Sequence, residues 1–332
     1  PSIHLPQTHA VVQLMRLLCD FASEKIILLT ETNVPKAENL SYFGQGNEAH
    51  AIYNFPLPPL ILHAMMSGSA QHLRRWQRGM PPAPMGCAYL NFTASHDGIG
   101  MRPAEGLLPE HEKQQMIDTV RAAGGLVSMR TMPDGSQSPY ELNTTFYAAL
   151  ERTFKGADQY HRERFICSQT IVMSLEGIPA FYIHSLLATP NDHEAVEHRG
   201  MNRAINRHRW DYPALRALLD DPASPQSQVL GALTDRLKLR GRQTAFHPNA
   251  TQFTVNMGDD RIFGVWRQSL DRHQSIFALH NISDETVTIS SEALNLIEDV
   301  AWHDLLSGEA VDPLAPQITL APYQCRWISN RT

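Results

Sequence analysis

Two short apolar runs in this chain lead to groups that titrate. Ile26-Ile27-Leu28-Leu29-Thr30 runs straight into Glu31, and Cys87-Ala88-Tyr89-Leu90-Asn91-Phe92 is followed, after Thr93-Ala94-Ser95, by His96-Asp97. Such runs read as buried strands of a parallel sheet, and the rim at the strands' carboxy-terminal ends is where α/β enzymes place catalytic groups. Two carboxyls facing one pocket are the minimum equipment for cleaving or transferring a glycosyl group. One of them has to be held protonated by burial so that it can protonate the leaving oxygen. A reaction that retains configuration also needs a separate nucleophile. Each residue has a plainer reading: Asp97-Gly98 is a turn dipeptide, and Glu31 answers a helix dipole. Two strand ends of the same kind favour the catalytic one.

Other chemistries are weaker. A metal centre would draw on His96, Asp97, His184 and His193, but none of the 16 histidines stands in a tight ligand spacing. The expectation is therefore no metal and no organic cofactor. No Gly-x-Ser-x-Gly elbow supports a serine nucleophile. The stretch His193–Trp210 concentrates Arg199, Arg203, Arg207 and Arg209. It is either a solvated face or a set of guanidinium forks for phosphate or carboxylate.

The elements that must position these groups alternate. Thr8 reads as the N-cap of a helix with Ala10, Leu14, Leu17, Leu18 and Phe21 on one face. A turn at Ser23-Glu24 leads to the Glu31 strand. Ala49–Phe55 is a second strand, Pro59–Met66 and Ala70–Gln77 are helices, and the Asp97 strand comes next. From Met101 to about Gly156 only a helix near Glu110–Ala123 and a turn at Pro133-Asp134-Gly135 stand out, as in an active-site wall. Arg162–Leu175 is a helix broken by Gly177-Ile178-Pro179, Ala180–Ile183 is a fourth strand, and Ser227–Arg240 is a helix. From Thr251 the period shortens to two, with seven short strands over 251–328, which describes an antiparallel β-sandwich. The expected division is an α/β unit over 1–243 and a β domain over 244–332.

Composition sets limits on partners. The 332 residues carry 28 basic and 34 acidic side chains, a formal charge of −6, with no Lys/Arg run. That argues against nucleic acid and anionic lipid, and no stretch is long and apolar enough for a membrane span. Cys19, Cys87, Cys167 and Cys325 are far apart, and three lie in apolar runs. Buried free thiols suit a reducing, cytoplasmic setting. The chain opens Pro1-Ser2-Ile3-His4, without Met, as if cut from something longer.

Five phrases resemble one family: Leu29-Thr30-Glu31-Thr32-Asn33, Ser95-His96-Asp97-Gly98-Ile99-Gly100, Ser138-Pro139-Tyr140-Glu141-Leu142-Asn143, Gly177-Ile178-Pro179-Ala180-Phe181-Tyr182 and Asn202-Arg203-Ala204-Ile205-Asn206-Arg207. In order and spacing they resemble the sucrose-phosphorylase branch of the α-amylase family, glycoside hydrolase family 13, over essentially the whole chain. Within it, the opening Ile3-His4-Leu5 and Thr30–Pro35 are similar to the glucosylglycerate phosphorylases. The resemblance implies a (β/α)8 TIM barrel, here its second half (strands 5–8), followed by a C-terminal antiparallel β-sandwich. It implies a retaining α-glucosyl transfer in which inorganic phosphate is co-substrate with a small sugar. Glu31 matches the general acid/base, Asp97 the carboxylate that stabilises the transition state, His96 its sugar-hydroxyl partner, and Arg203 the cation that holds the glucosyl unit. Asn143, Asp192 and Arg207 match pocket-lining positions.

Asn33 stands where sucrose phosphorylase has His, and Ala204 where it has Asp. Losing an acid and keeping Arg203 favours an acidic acceptor such as glycerate. The family's nucleophile is an Asp in an Arg-x-Asp strand motif before this segment, and the expectation is that no such motif exists anywhere in this chain. The expectation is thus a C-terminal part, inactive alone, with an exposed strand edge. The alternatives are a non-catalytic carbohydrate-binding or regulatory protein and a hydrolase of the same family. Oligomeric state stays open, a homodimer of the full-length enzyme being one option.

Overall fold

In the computed structural model, which describes residues 4–23, 25–132 and 134–331, four parallel strands pair side by side in chain order. They are Leu29–Thr30, Ala51–Tyr53, Ala88–Asn91 and Ile178–Pro179, in register Thr30↔Ile52, Tyr53↔Leu90 and Asn91↔Pro179. Parallel neighbours in chain order need crossovers, and helices supply them here. The Leu57–Ser67 helix is buried along its whole length from Leu57 to Met66, as expected for a helix apolar on every side. It packs with Gln71–Arg78, His161–Ser174 and the β domain around one core that includes Phe146, Phe165, Phe263 and Trp327.

Local physics moved several expected boundaries. The first helix spans Pro6–Ala22 with Leu5 at its N-cap. Pro6 takes the first-turn position that its missing N–H suits, so Thr8 lies inside the helix. The fourth strand is Ile178–Pro179, whereas the expected strand Ala180–Ile183 is not one, its last residue opening the short Ile183–Leu186 helix. Gly177 sets that register: its φ is +107°, and a Cβ there would stand 2.3 Å from the Tyr89 carbonyl oxygen. The stretch expected to lack structure after Met101 folds as a sheet, with Gln137–Asn143 between Ile99–Gly100 and Leu126–Thr131. A bulge between Ser128 and Met129 breaks the alternation that would have announced it. Glu24 and Pro133, each part of an expected turn, lie outside the described residues, as does Ile3 of the opening phrase.

The C-terminal part is antiparallel. Six strands run in the order Thr251–Val255, Ile262–Gln268, Ser275–Asn281, Cys325–Ser329, Trp302–Asp304, Ala310–Val311, and Val287–Ser290 pairs with Gln317–Leu320. The Pro225–Arg240 helix ends ten residues before the first of these strands. Among the described residues no helix is long and apolar enough to cross a membrane, and all four cysteines are free.

The seam between the two parts holds His280, fully buried with Ser174 Oγ 3.1 Å from Nε2 and the Phe263 carbonyl 3.0 Å from Nδ1. Burial pushes its pKa down to about 4. A depressed folded-state value means the unfolded chain binds the extra proton, so this contribution is complete above about pH 6.5. It is lost as pH falls toward 4, a cost of about 3 kcal/mol. Urea midpoints at pH 7 and pH 4 should show that loss. His280→Gln should flatten it, and an acid limb as steep as the parent's would refute the assignment.

Candidate active site

Glu31 comes directly after the first parallel strand, and Asp97 lies six residues beyond the third. Both line one cleft of about 170 Å³ with Asn33, Phe55, Phe92, Tyr140, Glu141 and Arg203. Glu31 is exposed and, among the described residues, makes no ion pair or side-chain hydrogen bond. The burial expected around it is not provided by this chain. Its charge nevertheless reaches Tyr53, whose hydroxyl pKa is raised first by burial and then by Glu31. The rings of Tyr53, Phe55 and Phe92 pack together at centroid distances of 5.2 to 5.6 Å. Of these, Phe55 and Phe92 give the cleft an apolar wall.

Asp97 is held by cations. Its Oδ1 is 2.6 Å from Arg203 Nη1 and 3.3 Å from Arg207 Nη2. Ser95 Oγ accepts from its N–H, and Asn206 Nδ2 donates to its carbonyl at 2.8 Å. Both arginines come from the 202–207 turn and are placed by its backbone. Arg207 Nε also donates to the His96 carbonyl at 2.7 Å. Arg199 and Arg209 of the same stretch stay exposed, so the loop is part site and part solvated face. His96 keeps its ring largely in solvent, Nε2 lying 3.6 Å from Asp97 Oδ1.

Sequence reasoning missed Glu141. It is only 4% exposed and lines the cleft. Its Oε1 accepts the Gly98 N–H at 2.5 Å, while Oε2 accepts from Arg203 Nε at 3.0 Å and Asn143 Nδ2 at 3.2 Å. Glu141 therefore shares Arg203 with Asp97 and fixes that guanidinium from behind. Gly98 is required by this contact more than by the turn, since a Cβ there would lie 2.5 Å from Glu141 Cγ. The signal was present in the Tyr140-Glu141-Leu142-Asn143 phrase, but without the sheet nothing aimed it at Asp97.

Asn143 and Asp192, expected at pocket-lining positions, do not border the cleft that Glu31 and Asp97 line. Asn143 is fully buried and lies behind the cleft, where its Oδ1 accepts from Ser128 Oγ at 2.6 Å and its amide supports Glu141. Asp192 lies off the cleft as the cap of the His193–Arg199 helix: Oδ1 accepts the Ala195 N–H and Oδ2 pairs with His208. Burial works against its charge, but those two partners outweigh burial and hold its pKa below the usual range. Asp192 N–H also bonds the Ile205 carbonyl, tying down the turn that carries Arg203. His184 and His193 are not brought to Asp97. His184 is buried against Thr189, and His193 is exposed on its helix. An Arg-x-Asp triplet does occur, Arg209-Trp210-Asp211, but Asp211 caps the Tyr212–Asp220 helix and lies on no strand.

An arc of parallel strands with carboxylates at one rim, and an antiparallel domain packed behind it, is an α/β fold of the TIM-barrel type with a C-terminal sheet domain. A sucrose 6F-phosphate phosphorylase from Thermoanaerobacter thermosaccharolyticum shares it at a TM-score of 0.69 and 20% identity, over 95% of this chain and 56% of that one. No family model matches the chain. It is 38% identical over 99% of its length to the glucosylglycerate phosphorylase of Spirochaeta thermophila, and 36% identical over 98% to that of Escherichia coli. It covers 57% and 56% of those proteins, so the chain spans little more than half the length of the curated relatives it matches. The chain belongs to the sucrose-phosphorylase-like branch of the α-amylase family.

Proposed function

We propose that this chain carries the acid and charge-stabilising side of a retaining glycoside phosphorylase site, moving an α-glucosyl group between phosphate and a small acidic acceptor such as glycerate. The observation that carries it is the division of labour in the cleft. Glu31 is unpaired and reachable, as a proton donor to a leaving oxygen must be. Asp97 is clamped by Arg203 and Arg207, which suits a carboxylate that faces a developing oxocarbenium charge without attacking it. Asn33 on the cleft and Ala204 in the turn that carries Arg203 bring no acidic group to the site. That agrees with an acid-bearing acceptor and with the relatives' name.

The strands of this chain are, on this reading, the fifth to eighth of the barrel. Asp97 and Glu141 are both tied to Arg203, so no described carboxylate on the cleft is free to capture the glucosyl cation once Glu31 serves as acid. The nucleophile would come from outside the described residues. Two surfaces fit this reading. The Pro6–Ala22 helix has no buried residue, with Leu17 66% and Phe21 92% exposed, and Ile27 beside the edge strand is 66% exposed. Such faces call for the complementary strands or a second copy. Free thiols favour a cytoplasmic setting, and the reaction calls for no cofactor or catalytic metal.

The test is a fusion. This chain replaces the matching part of the Spirochaeta thermophila relative within the rest of that protein. The fusion should release glucose 1-phosphate from glucosylglycerate and phosphate, and the 332-residue chain alone should release none. Release by the chain alone would overturn the divided site. A folded fusion that binds glucosylglycerate but turns it over neither with phosphate nor with water would support a non-catalytic binding protein instead. Glucose without glucose 1-phosphate would mean a hydrolase.

A further inference from the structure

His63, His72 and Glu112 form a cluster that the glycosyl site does not use. His63 lies on the Leu57–Ser67 helix, His72 on Gln71–Arg78, and Glu112 in the first turn of Glu110–Ala122. Nε2 of each histidine is 2.8 Å from the same oxygen, Glu112 Oε2, and the three donor atoms all lie within 4.8 Å of one another. The distances suit hydrogen bonds, but the directions do not. His63 is 2% exposed, and neither of its ring nitrogens has an aligned hydrogen-bond partner among the described residues, nor has Glu112 Oε2. A buried polar atom left in that state costs about 1–3 kcal/mol, and here two such atoms point into one shared space. The remaining neighbours are the Phe154 ring, 5.8 Å from the His63 ring, and His111, 3.9 Å from the outer Glu112 oxygen. No Lys or Arg forms an ion pair with this carboxylate among the described residues.

We propose that His63, His72 and Glu112 bind a divalent transition-metal ion, zinc by preference, with water completing the coordination. Two imidazoles and a carboxylate are a zinc donor set. A tetrahedral ion with bonds of about 2.0–2.1 Å holds its donors about 3.3 Å apart, a small adjustment from the present spacing. His72 borders an open groove that gives the ion a way in. The site is a staple. It joins two barrel helices to the helix that leads into the Leu126–Asn143 hairpin, and that hairpin carries Glu141 to the cleft. The lever is mechanical, and the ion takes no part in glycosyl chemistry.

The probe is zinc itself, added to the full 332-residue chain after chelator treatment and dialysis. The chain should take up one equivalent, and the thermal midpoint should rise by about 5 °C at a hundredfold excess over the dissociation constant. Cobalt in its place should give the intense visible bands of a tetrahedral ion. His72→Ala and Glu112→Gln, both at partly exposed positions, should lose the zinc-dependent rise while keeping the metal-free midpoint within a few degrees. His111→Ala should keep it. A chain whose midpoint ignores zinc overturns the proposal, and so does a rise that survives in either variant.

Discussion

In the fusion enzyme, Glu31→Gln should slow phosphorolysis of glucosylglycerate by about 10²- to 10⁴-fold, the usual worth of a positioned general acid, and leave the Michaelis constant nearly unchanged. The side chain keeps its shape and its place beside Tyr53 but has no proton to give to the departing oxygen. A loss of this size alone would not prove the role, because any damage to the cleft slows turnover. The leaving group decides it. α-Glucosyl fluoride departs without needing a proton, so Glu31→Gln should release glucose 1-phosphate from it at close to the parent rate. Asp97→Asn should be slow with both donors, because positive charge develops at the sugar whatever leaves. Equal losses with both substrates in Glu31→Gln would remove Glu31 from the acid role. A selective loss in Asp97→Asn would exchange the two assignments.

Glu31 and Asp97 were legible because each depends on a local rule: an apolar run makes a buried strand, and the residues just past its end meet the rim. Three strands of the arc were legible for the same reason, although they are only two to four residues long, while the fourth falls at Ile178–Pro179, just before the expected Ala180–Ile183. Glu141 was not legible. Its place depends on a hairpin whose alternation is broken by a bulge, and on a Gly98 backbone 43 residues away that approaches within hydrogen-bond reach. Asn143 and Asp192 are the reverse case. The family resemblance put both at pocket-lining positions, whereas here hydrogen-bonding demand ties Asn143 to a buried carboxylate and Asp192 to a helix N-terminus. The Pro6–Ala22 helix is a third case. Its apolar face was read correctly as a face, but periodicity says only that a stripe wants cover, and none of the helix's residues is buried.

Removing Arg164 should be the most destabilising single change in the chain. This guanidinium is fully buried and reaches across the seam: Nε donates to Tyr323 Oη at 3.0 Å, Nη1 to the Leu150 carbonyl at 2.7 Å, and Nη2 pairs with Asp158. Its Cζ lies 4.9 Å from the centre of the Tyr323 ring. One side chain thus ties the His161–Ser174 helix, the loop before it and the β domain together. Arg164→Ala leaves a buried carbonyl and a buried hydroxyl without partners, a carboxylate without its cation, and a cavity. Breaking a buried pair from one side costs about 3–5 kcal/mol. Tyr323→Phe alone should cost about 1–2 kcal/mol, and much less when Arg164 is already Ala, since the hydroxyl has then lost its donor. That non-additivity, read from urea midpoints of the four proteins, separates a seam interaction from two unrelated losses. Tryptophans lie in both parts, Trp76 on a helix and Trp327 on a β-domain strand, so coincident fluorescence and circular-dichroism transitions would show that the helical layer and the β domain still unfold together. Additive costs, or an Arg164→Ala loss below about 1 kcal/mol, would mean that apolar packing alone closes the seam.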